Sequence, residues 1–315
     1  FRGFRTINGL SRAEANVQAQ RATLHGGEQS ILLQAATAYM AVVRDEAVLK
    51  LNINNEQVLR RQLEATQDRF RVGEITRTDV SQAEARVSGA TADRIQAEGT
   101  LQISRAAYVN VIGQAPGKLT SPKSLADLPK TLQQAREVAN KGHPDIISAL
   151  FSERSAKDAV KVKQGELYPT LNVVGTVNRL WESSSNDSQL TTGEVKLDLS
   201  VPLYQKGTVY SELREAKVEA GRSRLILENA RRTVLANVSS AWETLTTTRA
   251  RIKSFEAQIK AAEIALEGVQ REASVGSRTV LDVLDSEQEL LDAKVSLVRT
   301  QRDEVVASFE LKGAV

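Results

Sequence analysis

Cysteine is absent from the 315-residue chain, which excludes a disulfide framework, thiolate metal sites and cysteine nucleophiles while remaining compatible with an oxidising compartment. Histidine occurs only at positions 25 and 143, too few for a histidine-rich metal centre, so no metal or cofactor is expected. Aromatic residues are scarce at 6 Phe, 5 Tyr and 2 Trp. That is thin for the two globular cores the length suggests, because aromatic rings supply much of a core's buried area. No run approaches the roughly 18 to 20 consecutive apolar residues of a membrane-spanning helix, so a helical anchor is excluded. Neither sign of charge dominates: 42 Lys and Arg face 39 Asp and Glu, and a net +3 over a large surface leaves no nucleic-acid footprint. Also missing are a Gly-rich phosphate loop and a nucleophile–base constellation, which disfavours an enzyme. What the chain does have is Ala, Leu and Val among abundant charges, with 41% apolar residues, only 6 Pro and a single Met. This composition favours long helices packed side by side.

The chain also repeats itself. A shift of 203 positions superposes Leu10 on Leu213, Ala13 on Ala216, Ala38 on Ala241 and Tyr39 on Trp242. Without a gap it then places Val72-Gly73 on Val275-Gly276, Thr76 on Thr279, Asp79-Val80 on Asp282-Val283, Glu84 on Glu287 and Ala90 on Ala293. Each repeat reads as a long helix, a short turn and a second helix. Positions 10–70 lack Pro, and Ile31, Leu32, Ala35, Ala38, Tyr39, Val42 and Val43 recur at three- and four-residue steps. Gly26 and Gly27 are expected to interrupt this helix as a local kink, and His25 beside them carries no ligand site. The partner helices are expected over 78–112 and from 280 to the end. Leu284, Leu291, Val298 and Val305 follow a seven-residue period, the seam of an antiparallel coiled-coil hairpin.

The segment between the repeats changes character. Pro116, Pro122 and Pro129 mark an irregular connection, a short helix is expected over 131–140, and His143-Pro144-Asp145 reads as a cap, an N1 proline and a first-turn acid of another helix. Over 193–204, Val195, Leu197, Leu199, Val201 and Leu203 alternate with Glu194, Lys196, Asp198, Ser200 and Pro202, a strand pattern. Residues 171–181 read as its partner, with a polar loop between. Such alternation suits both a sandwich and a barrel strand with lipid on one side and water on the other. A lone hairpin is unstable, so other strands must complete it. The first residues, Phe1-Arg2-Gly3-Phe4-Arg5, show neither an initiator Met nor an apolar leader. By the 203-residue shift Phe1 corresponds to Tyr204, and a preceding helix and first hairpin are expected upstream of the numbered chain.

Duplicated helical hairpins, each joined to a β-hairpin, together with Val275-Gly276-Ser277-Arg278-Thr279 leading into Asp282-Val283-Leu284-Asp285, resemble the TolC family of outer-membrane efflux and secretion ducts. The resemblance extends to His143-Pro144, Tyr168-Pro169-Thr170-Leu171 and Val201-Pro202-Leu203-Tyr204. It implies a mainly α fold with a small β part: two helical repeats, and hairpins contributing to a trimeric 12-stranded outer-membrane barrel above a periplasmic tunnel. The corresponding division is residues 1–112 (first repeat), 113–142 (equatorial connector), 143–167 (helix leading to the barrel), 168–204 (barrel hairpin with an exposed loop at 182–192) and 205–315 (second repeat with the inner tip). The implied partners are two further copies in a homotrimer, a periplasmic adaptor, an inner-membrane RND or ABC transporter and outer-membrane lipid.

Asp282 and Asp285, three residues apart, share a helix face after the turn and in a trimer would form stacked carboxylate rings favouring cations. The resemblance places the family's acidic aperture at these two residues, whereas the first repeat has Gln82 opposite Asp285. It also implies a gate latch between Arg278 and the Thr78–Asp79 pair of a neighbouring hairpin, and adaptor docking at Val72, Gly73, Thr76, Val275, Gly276 and Thr279. Where the family pattern has a latch tyrosine, this chain has Ala273, so closure is expected to rest on Arg278 and coiled-coil packing. The rival reading, a structural or adaptor periplasmic coiled coil without its own pore, accounts for the helices but not for the strand alternation.

Overall fold

A computed structural model describes residues 1–181 and 187–315. The order is α1 (Arg5–Arg71), α2 (Arg77–Ile112), α3 (Leu132–Gly142), α4 (Pro144–Gln164) and a 3₁₀ turn (Gly165–Leu167), then β1 (Thr170–Trp181), β2 (Gln189–Ser200), α5 (Thr208–Ser274) and α6 (Val280–Ala314). The duplication holds to the residue. α1 and α5 are each 67 residues long, and α2 and α6 start 203 positions apart. The left-handed pair that enters each long helix also recurs, as Gly3-Phe4 and Lys206-Gly207. At Gly26 and Gly27, where a local kink is expected, α1 stays helical without a break. Two glycines cost only about 1 kcal/mol each relative to Ala, small beside the packing of so long a helix.

The chain divides into two compact units. The first comprises Phe1–Gly27 and Val138–Leu235. Within it His143 caps α4, its Nδ1 accepting the Asp145 backbone N–H at 3.2 Å, and burial holds the imidazole below its ordinary pKa, so it caps as the neutral ring. Asp158, almost fully buried, is held by Ser11 at 2.8 Å and Lys161 at 2.7 Å, tying α4 to the start of α1. At the foot of the hairpin, the backbones of Gly3 and Gly165 cross so closely that a Cβ on either would collide with the other's carbonyl oxygen.

β1 and β2 pair antiparallel over their full lengths, from Thr170↔Ser200 to Trp181↔Gln189. Leu171↔Leu199, Val173↔Leu197 and Gly175↔Val195 share one face; Asn172↔Asp198, Val174↔Lys196 and Thr176↔Glu194 share the other. β2 thus begins and ends four residues before the expected 193–204. Gln189–Thr192, expected in the loop, pair with the end of β1, and the ladder stops ahead of Pro202, which has no N–H to donate. Of the expected loop, residues 182–186 lie outside the described residues. Phe1 and Arg2 also pair beside Thr170 and Leu171, Phe1 exchanging backbone bonds with Leu171 at 2.7 and 2.8 Å.

The second unit comprises Glu28–Glu137 and Ala236–Val315. Its core is a series of small apolar layers rich in alanine. One joins Leu59, Ala83 and Ala90 to Val280 and Leu284; another joins Ala262, Leu266 and Ala273 to Val283 and Leu290. Such layers need few aromatics, which explains the thin aromatic count. The connector before α3 is pinned by Tyr39, whose hydroxyl donates to the Thr120 carbonyl at 2.8 Å and accepts its N–H at 3.1 Å, and by Leu125, whose N–H reaches Ser308.

Polar groups fix the register of α1 against α2. Glu56, 6% exposed, accepts bonds of 2.7 Å each from Arg60, Thr91 and Arg94. The Arg60 bond, then the Thr91 bond, pull its carboxyl down to about 2 from an ordinary 4.5. A depressed folded-state pKa stabilises above the unfolded value and loses that contribution as pH falls through the folded one. Between pH 4.5 and 2 the helical unfolding midpoint should therefore fall more steeply in the wild type than in Glu56→Gln, measured by circular dichroism; equal slopes would remove Glu56 as the acid-sensitive element.

Candidate functional site at the helical turns

Both turns joining the long helices to their partners are built alike. Gly73 and Gly276 adopt φ of 82° and 81°, a left-handed conformation that ends a helix readily only with glycine. Each glycine's N–H returns to the carbonyl three residues back (Phe70 at 2.9 Å, Ala273 at 3.2 Å) and the next N–H to the carbonyl five back (Arg69 and Glu272, both 3.0 Å). Thr76 and Thr279 then cap α2 and α6 in reciprocal boxes. Each threonine hydroxyl accepts the N–H of Asp79 or Asp282, and each aspartate accepts the threonine's own N–H at 2.9 Å. Val72 and Val275 stay exposed beside the glycines, at 73% and 79%. The turns thus hold their shape through local bonds, leaving two valines and a bare backbone on the surface.

The carboxylates after the second turn have different roles. Asp282 is tied into the cap, and the Thr279 backbone N–H, then its hydroxyl, lower its pKa. Asp285, one turn on, is 57% exposed at its side chain and forms an ion pair with Arg86 of α2. The sequence reading missed Arg86, whose partner lies 199 positions away and on the other repeat. Beyond Asp285, Glu289 and Asp292 continue the exposed acidic face of α6.

Within one chain, Arg278 does not meet Thr78 or Asp79. Its Nε donates to Glu272 across its own turn at 2.9 Å, and that bond raises the guanidinium pKa. Asp79 is committed to the Thr76 cap. Ala273 is buried in the α5/α6 core, 8% exposed, and offers no polar group to the first hairpin. Among the described residues no group of three or more His, Cys, Asp or Glu is arranged to hold a metal.

The model of a family described as outer membrane efflux protein matches residues 1–114 and 135–315. The outer membrane efflux protein BepC of Brucella suis biovar 1 is 35% identical over 315 residues, all of this chain and 69% of its own length. The outer membrane protein TolC of Vibrio cholerae is 28% identical over 97% of this chain and 72% of its own. A proteases secretion protein, PrtF of Dickeya chrysanthemi, is 27% identical over 87% of this chain and 61% of its own. Among solved structures, the outer membrane protein VceC of Vibrio cholerae superposes with a TM-score of 0.85 over 99% of this chain and 76% of its own, at 21% identity, a likeness of fold. The family match over most of the chain and the 35% identity to BepC show that the chain belongs to the TolC-like family of outer membrane efflux proteins, non-enzymatic transport proteins of the Gram-negative outer membrane.

Proposed function

We propose that the chain is one protomer of a passive trimeric exit duct, serving either drug efflux or type I protein secretion, with its mouth in the outer membrane and its helical turns facing the periplasmic partners. The observation that carries this reading is the hairpin. Its apolar cross-strand pairs are exposed, Val195 at 83% and Val177 at 78%, while Glu194, Lys196 and Asp198 line the opposite face. Twelve residues at about 3.4 Å each, tilted about 45°, project to roughly 29 Å, enough to cross the apolar band of about 25 Å of an outer-membrane barrel. Phe1, Phe4 and Tyr168 stack edge to face at the hairpin's foot, with ring centroids 5.1 and 6.5 Å apart, and Tyr204 is exposed nearby in sequence. An aromatic girdle of this kind suits a membrane–water boundary. Four strands from each of three copies would close the barrel, and residues 168–204 supply one hairpin of each set.

At the other end of the reading, Asp282 and Asp285 form the acidic aperture, and Arg278 latches to Thr78 and Asp79 of a neighbouring copy by exchanging its Glu272 bond for that contact. Val72, Gly73, Thr76, Val275, Gly276 and Thr279 form the surface that receives a periplasmic adaptor bound to an inner-membrane RND or ABC transporter. Their support is the pair of matched turns with outward-facing valines. Placing Trp at both Gly73 and Gly276 tests the docking surface. In cells lacking another duct, drug resistance should fall to the level without the protein, while trimers in the outer membrane persist; full resistance with intact trimers would refute the docking role.

A further inference from the structure

The ion pair between Arg86 and Asp285 lies at the edge of the apolar layer in which Val280 and Leu284 of α6 press against Ala83 and Ala90 of α2 and Leu59 of α1. Leu284 is 1% exposed there, and the small alanines leave the groove it fills. α6 cannot move away from the first hairpin without emptying this groove and parting the two charges. We propose that Arg86 is a specificity-determining residue of the aperture: docked, it neutralises Asp285 in each copy; undocked, it releases that carboxylate, so the charge of the entrance reports whether the hairpins are joined.

This inference rests on the reading of Asp285 as an aperture residue. Its physical basis is the placement of the pair. With the Arg86 and Asp285 side chains 37% and 57% exposed, the pair adds little to stability and is readily broken. The same exposure leaves the carboxylate within reach of ions in the passage, so its pairing changes the local field even where it hardly changes the fold. The first repeat cannot supply an equivalent, since Gln82 stands opposite Asp285 and Glu289 opposite Arg86 under the 203-residue shift. The contact therefore works in one direction only, from the first hairpin to the second. It also places a polar link between the hairpins in a chain where Ala273 provides none.

The test uses the full-length trimer in planar bilayers, with hexaamminecobalt(III) as the multivalent probe. Arg86→Gln should tighten block by about tenfold, since each copy loses one positive charge beside the ring, and should raise the resting conductance. The swap Arg86→Asp with Asp285→Arg should bring the resting conductance back toward the wild type while block stays weak. Unchanged block and conductance in Arg86→Gln would overturn the proposal if Asp285→Ala weakens block in the same assay. If Asp285→Ala leaves block unchanged, the aperture reading itself fails and the Arg86 assignment falls with it.

Discussion

Val195→Arg is expected to abolish accumulation of the protein in the outer membrane, whereas Glu194→Arg, one residue earlier, leaves it assembled. The two positions are mid-strand and differ only in the face they occupy. Val195 lies across from Gly175 on the apolar side and is 83% exposed; Glu194 lies across from Thr176 on the polar side. Arginine facing lipid near the midplane costs about 2–4 kcal/mol per copy, and three copies bring that to roughly 6–12 kcal/mol, comparable with the whole stability of many folded proteins. On the water-filled side the same residue is solvated and the cost is small. Immunoblots of outer-membrane fractions read the result. Equal accumulation of both variants would mean that the apolar face does not meet lipid, and loss of both would mean that the strand tolerates no arginine on either face.

The second large effect concerns ions. Replacing Asp282 and Asp285 together by Ala is expected to weaken block by hexaamminecobalt(III) at least a hundredfold while leaving assembly intact. A trivalent ion about 8 Å from a carboxylate gains about 1.6 kcal/mol in bulk water. Three copies of one ring give about 5 kcal/mol, which screening at 0.1 M salt cuts to about 2 kcal/mol. Removing both rings therefore forfeits about 4 kcal/mol, close to a thousandfold in affinity before any loss from imperfect placement, because the opposing charge of Arg86 is present in both proteins and cancels in the comparison. Asp282 contributes even though it also caps α6, because its cap bonds keep it ionised. Removing that cap costs about 0.5–2 kcal/mol locally, too little to unfold helices of this length. Block that survives in the double variant would place the ion site elsewhere on the exposed acidic face, with Glu289 and Asp292 the next residues to replace.

The helices were legible because local rules agreed over long stretches. Positions 10–70 have no proline, and the repeated valine–glycine turns announce a reversal; the capping boxes of Thr76 with Asp79 and Thr279 with Asp282 emerged only in the structure. The hairpin was legible from its alternation, although its start was not: Leu190, Thr191 and Thr192 do not extend the pattern of Val195 to Leu199, and only the ladder opposite Asn178–Leu180 reveals them as strand. The glycines at 26 and 27 do not end the helix, because helix propensity is a weak prior against sixty residues of packing. Contacts between distant segments left no local trace. Arg86 and Asp285 fall outside the 203-residue correspondence, and the close crossing of Gly3 over Gly165 depends on a fold that neither glycine's neighbours encode. Arg278 shows the same limit, since the sequence indicates a charged residue at the turn but not that Glu272 of that same turn holds it.

The central claim is that this chain forms a trimeric pore through lipid. Purified full-length protein should stay in solution only with detergent, give a mass of three copies after subtraction of bound detergent, and insert into planar bilayers as a cation-selective conductance entering in single uniform steps. A protein that is soluble without detergent, runs as one copy and leaves the bilayer silent would contradict the account and return the chain to a coiled coil without its own pore.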